Sequence, residues 1–199
     1  MNIQMKSLIS ALLFMGSITT ASASAVITKI EASGAGLGSF TYSIDEDHHL
    51  LDLHKIFTSV NPIDLTFTVG HGTGDGSPYN VIEEIINSTG VNWTDFHFSI
   101  TEPTDRGQGI VFTSFDSSTL SGFTLDSAPS SGPRNLNYTG SLTNGDDAHA
   151  LFKLSLDDPG AGNTTTFVLH QVPTIPEPET YAMLLIGLGL LGATARRRK

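Results

Sequence analysis

Apolar and polar residues alternate one for one along several short stretches of the chain. In 39–44, Phe40, Tyr42 and Ile44 alternate with Ser39, Thr41 and Ser43, and in 63–69 Ile63, Leu65, Phe67 and Val69 alternate with Asp64, Thr66 and Thr68. The rhythm returns at Phe96, Phe98 and Ile100, and at Phe152, Leu154 and Leu156. Successive side chains of a strand point to opposite faces, so each stretch reads as a strand with one buried face. Weaker forms of the pattern predict strands over 26–31, 79–86, 109–115, 120–125, 136–142 and 165–170. The run VIEEII at 81–86 also fits a helical turn, but its β-branched content and the Asn-Ser-Thr-Gly turn behind it favour a strand.

The intervals are dense in turn formers: Asn61-Pro62, 70–78, 87–90, 104–107, 127–133, Asn144-Gly145 and 157–163. Nine or ten short strands with turns at this spacing predict an all-β body over residues 26–172, an antiparallel β-sandwich or jelly-roll-like domain.

The pattern changes at both ends. Behind Lys6, residues 8–18 form an apolar core too short to span a bilayer, and Ala21-Ser22-Ala23 and Ala23-Ser24-Ala25 both fit A-x-A cleavage rules. Residues 1–25 therefore read as a secretory signal peptide cut after Ala23 or Ala25, and the mature chain begins at Ser24 or Val26. At the other end, 173–199 carries Pro176-Glu177-Pro178, an apolar run over 181–195 and the cations Arg196, Arg197, Arg198 and Lys199. As a helix that run is about 22 Å long, short of a hydrocarbon core of about 30 Å, but Tyr181 suits one interface and the four cations can snorkel toward the other. Cations beside an apolar segment stay cytoplasmic and act as a stop, which places everything before Tyr181 outside the cytoplasm. The tail also spells G-x-G-x-x-G from Gly187 to Gly192. A dinucleotide site needs a strand before it and an acid some twenty residues beyond, and the sequence ends first, so these glycines suit close helix packing in a membrane instead.

The order of short Pro-Glu-Pro motif, brief apolar helix and basic end resembles the PEP-CTERM sorting signal of Gram-negative bacteria that make exopolysaccharide. The resemblance implies recognition by an exosortase, a membrane-embedded cysteine transpeptidase, with Pro176, Glu177 and Pro178 as the motif read. It also implies export across the inner membrane, transient anchoring by the helix, and delivery to the cell surface or beyond. Residues 87–100, NSTGVNWTDFHFSI, further resemble a stretch recurring in the bodies of secreted PEP-CTERM proteins, which implies a hairpin of a β domain.

With the ends set aside, Lys29, Lys55, Arg106, Arg134 and Lys153 face eighteen carboxylates between residues 26 and 175, a net charge of −13. That excess excludes nucleic acid, whose phosphates need a basic surface, and favours divalent cations. Cysteine is absent, so the body folds by burial alone and holds no thiol nucleophile or thiolate metal site.

Candidate chemistry is sparse. Of seven histidines, His48, His49 and His54 lie closest in sequence, and Asp95 and His97 would share one face of a strand, but no H-e-x-x-h spacing occurs and solvent-exposed positions account for them. For a structural calcium the oxygen donors are Asp45–Asp47, Asp146-Asp147 and Asp157-Asp158 with Asn163, none in an EF-hand pattern. No G-x-S-x-G or S-x-x-K motif is present. The sequons at Asn87, Asn92, Asn137 and Asn163 read as exposed polar loops. The expectation is an exported surface or matrix protein, not an enzyme, whose body associates with extracellular polysaccharide. The alternative is a secreted glycosidase or lyase with Trp93 or Tyr138 as a sugar platform beside two carboxylates. As the single tryptophan, Trp93 is more simply a core residue.

Overall fold

The computed structural model describes residues 23–74, 76–101, 109–114, 117–126 and 134–175, together with tail positions 185, 186 and 188. Twelve strands follow in order: β1 (Ala23–Ser33), β2 (Leu37–Asp45), β3 (Leu50–Phe57), β4 (Ile63–Thr73), β5 (Tyr79–Asn87) and β6 (Trp93–Thr101). They continue with β7 (Val111–Thr113), β8 (Thr119–Leu120), β9 (Phe123–Leu125), β10 (Asn135–Leu142), β11 (Asp147–Ser155) and β12 (Thr164–Thr174). One sheet runs β1-β4-β12-β6-β10-β9; the other runs β2-β3-β5-β11-β7, with β8 also pairing β11.

The sheets pack face to face through the inward half of each alternating pattern. Phe57 of β3 meets Trp93 and Phe96 of β6 edge-on, at ring centroid distances of 5.2 and 5.8 Å. Phe98 of β6 and Phe152 of β11 lie 5.3 Å apart. Leu51, Leu53, Ile63, Leu65, Phe67, Phe96, Phe98, Leu154 and Leu169 join them in one continuous core. Aromatic rings at such distances add edge-to-face attraction to the area they bury, which suits a domain with no disulfide to brace it.

The all-β sandwich is as the alternation predicts, and 79–86 is a strand rather than a helical turn. Four local expectations are corrected. The strand pairs are antiparallel except β3 and β5, which run parallel. The chain leaves β3 for β4 in the opposite sheet and returns for β5, so it re-enters pointing the same way. Residues 70–73 extend β4 instead of turning, because β1 pairs with them through Val26↔Gly70 and Ser24↔Gly72. A side chain at Gly72 would strike Val26, so glycine here permits close strand approach. Residues 120–125 divide at Gly122, whose φ of +80° turns the chain between sheets. Leu120 pairs with β11, whereas Phe123–Leu125 pairs with β10. Finally, 87–92 is not a hairpin loop: it joins β5 of one sheet to β6 of the other.

Asn87 builds that crossing. It is fully buried, not an exposed sequon. Its Nδ2 donates to Val91 O (2.9 Å) and Leu142 O (3.2 Å), and its Oδ1 accepts from Thr89 N and Thr89 Oγ1 at 3.1 and 2.7 Å. Thr89 Oγ1 in turn accepts the Trp93 indole N–H at 3.1 Å. These bonds satisfy polar groups that the crossing carries into the core.

Candidate functional site

On the solvent face of the second sheet, strand register brings together residues far apart in sequence. His54 of β3 stands beside Glu84 of β5, and Glu84 stands beside His149 of β11. His54 Nε2 lies 3.3 Å from Glu84 Oε2, and His149 Nε2 lies 3.2 Å from Asp147 Oδ2. One ligand atom from each of Glu84, Asp147 and His149 falls within 4.8 Å of the others, a spacing that could hold a metal ion. Two carboxylates supply the hard oxygens calcium takes, and the imidazole adds a donor that borderline metals prefer. All three are at the surface, where water competes for the ion.

The groupings expected from sequence are dispersed. His48 turns back on Asp45 (Nδ1 to Oδ2, 2.8 Å), and that hydrogen bond holds the Asp45 carboxyl below its ordinary value. His49 stacks on Tyr79 with centroids 5.1 Å apart. Both line an open polar groove with Glu46, Asp47, Thr73 and Asn80, while His54 belongs to the sheet face. His97 pairs with Asn137 (2.9 Å) and Thr174 (3.1 Å) rather than with Asp95. Asp158 accepts from Gly160 N at 3.0 Å and lies 3.0 Å from His71 Nδ1; the backbone bond first, then the histidine, hold its carboxyl low. Asn163 closes the same turn by donating its N–H to Gly160 O. Asp147 is the only residue of the expected calcium loops that reaches the sheet-face cluster. Trp93 and Tyr138 are 0% and 1% exposed, so neither offers a platform to a sugar.

Sequence reasoning missed a second polar group, inside the core. Lys55 of β3, Glu83 of β5 and Gln171 of β12 are each 0% exposed. Lys55 Nζ contacts both Glu83 Oε1 and Gln171 Oε1. Gln171 Nε2 donates to Glu83 Oε1 at 3.0 Å and Oε2 at 3.3 Å. Phe57 and Phe98 close over the ammonium at 5.8 and 6.0 Å. Loss of hydration pushes the Lys55 pKa down to about 8, against the opposing pull of the Glu83 charge and hydrogen bond. The signal was present: each residue occupies the next inward position after two apolar ones, Leu51 and Leu53, Tyr79 and Val81, Phe167 and Leu169.

Ala25 lies in β1, buried, whereas the expected signal peptide before Ala23 lies outside the described residues. So do Pro176, Glu177, Pro178, the basic residues 196–199 and nearly all of 181–195. Among the described residues no helix is long and apolar enough to cross a membrane.

Residues 174–199 match the PEP-CTERM protein-sorting motif, so the chain carries the signal that directs an exported, membrane-transiting protein to an exosortase. No curated protein and no solved structure matches the chain.

Proposed function

Taking an exported, exosortase-sorted chain as the premise, we propose that it delivers a non-enzymatic β-sandwich to the cell exterior, where the body associates with extracellular polysaccharide. The observation that carries this reading is the position of the sorting motif. It begins at residue 174, the last residue of β12, a strand in the interior of its sheet. Folded body and sorting signal thus abut, and Pro176 follows the final strand by two residues. Removal of the tail leaves the sandwich whole.

The solvent face supplies the chemistry of contact. Thr41, His54, Glu84 and His149 lie in a lateral row across β2, β3, β5 and β11 and offer donors and acceptors to polymer hydroxyls. The body is acidic, so an anionic polymer would be repelled unless a divalent cation bridged the two, and Glu84 with Asp147 is where such an ion would sit.

Sedimentation of the purified chain with the host's own exopolysaccharide tests the proposal. Calcium should raise the co-sedimenting fraction severalfold over a chelator control, Glu84→Gln with Asp147→Asn should abolish that gain, and the polymer should keep its length. New reducing ends would make the body an enzyme, and failure to sediment under any condition would remove the matrix role.

A further inference from the structure

We propose that Lys55 and Gln171 become joined by an intramolecular isopeptide bond, formed by the fold itself with Glu83 as the proton carrier. The three side chains meet where nucleophile, electrophile and acid–base group must stand. Lys55 Nζ touches the carboxamide of Gln171, and Glu83 touches both Lys55 Nζ and the amide nitrogen that would leave. All three come from rigid strands, two in one sheet and one in the other, so the encounter is fixed by the sandwich and loses no further entropy.

The core supplies the medium. An ammonium in water is a poor nucleophile, but burial lowers the Lys55 pKa to about 8 and makes the neutral amine accessible. Phe57 and Phe98 seal the site, which excludes water as a competing nucleophile and as a later hydrolyst of the product. A buried charged pair is costly to maintain, and the reaction removes it.

The step balances without a co-reactant. Lys55 passes a proton to Glu83, and its neutral Nζ adds to Cδ of Gln171. Glu83 returns that proton to Nε2, the Cδ–Nε2 bond breaks, and ammonia leaves. The second proton shed by Nζ remains on Glu83, which ends as a neutral carboxyl able to donate to the new amide. Nothing is oxidised or reduced. The bond would tie positions 116 residues apart and link the two sheets, restricting the unfolded chain as a disulfide does in an exported protein with no cysteine.

Peptide mapping of the full-length chain, denatured and cut with trypsin, tests this. The expected product is one branched peptide joining the segment around Lys55 to that around Gln171, lighter than the two together by one ammonia, with no cleavage after Lys55. A succinimide at Asn144-Gly145 would also lose ammonia but would stay within one peptide. Glu83→Gln keeps the size of the side chain and removes the proton carrier, so its branched peptide should vanish and cleavage after Lys55 should return. Separate, unmodified Lys55 and Gln171 peptides from the folded wild-type chain would overturn the proposal whatever the variant does. An undiminished branched peptide in Glu83→Gln would overturn the role given to Glu83.

Discussion

The Tyr138 hydroxyl is buried against the core and has no hydrogen-bond partner among the described residues; burial pushes its pKa well above the ordinary phenol value. The ring earns its place against Phe98, 5.9 Å away and edge-on, but the oxygen has lost water for nothing in return. Tyr138→Phe should therefore match or exceed the wild type by about 1 kcal/mol in denaturant unfolding. A loss of that size instead would mean that the hydroxyl is bonded in solution. The same scale explains what the sequence concealed. Apolar inward residues announce themselves by alternation, whereas Lys55, Glu83 and Gln171 are inward residues of the wrong polarity. Local departures from pattern of this kind mark positions held for a reason other than burial. Likewise Glu84, Asp147 and His149 are each an unremarkable surface residue, and only strand register brings them together.

Among the elements, alternation located strands but not always their ends: 63–69 and 96–100 lie within β4 and β6 and 136–142 fits β10, whereas β11 runs Asp147–Ser155 against an expected 152–156. β3 was not located, because Lys55 breaks its inward series and the preceding acids and histidines resemble a loop. The end of β12 was obscured by Pro173, which a paired strand seldom accommodates. Beyond Gln171, however, β12 is paired on one side alone, by β6, so the missing N–H is tolerated there. β1 carries a consequence for export. Ser24 is 2% and Ala25 8% exposed, and they pair with Gly72 and His71 of β4. Cutting after Ala25 would strip the first buried residues from this edge, while cutting after Ala23 leaves them in place. Amino-terminal sequencing of the exported protein should accordingly read from Ser24; a start at Val26 would show that the opening of β1 is dispensable.

At the scale of the whole molecule, two sheets, one aromatic core and a strongly acidic body describe a domain whose last described strand ends at the first residue of the sorting motif. Sandwich architecture followed from periodicity, but the strand count did not, since nine or ten were expected and twelve stand among the described residues, and neither did the distribution of strands between sheets. The β3–β4–β5 excursion and the crossing at Asn87 depend on contacts far apart in sequence, such as the Asn87 bond to Leu142 O. The candidate sites divided the same way. The Pro-Glu-Pro motif, apolar run and basic end were readable as a linear signal, whereas the sheet-face cluster and the interior Lys-Glu-Gln group exist only in the fold. The most direct measurement is the carboxyl-terminal peptide, by mass spectrometry, of the protein recovered outside cells of its native host. Exosortase sorting predicts a terminus near Pro176–Pro178, with residues 181–199 absent; recovery of an exterior chain that still ends in Lys199 would contradict it.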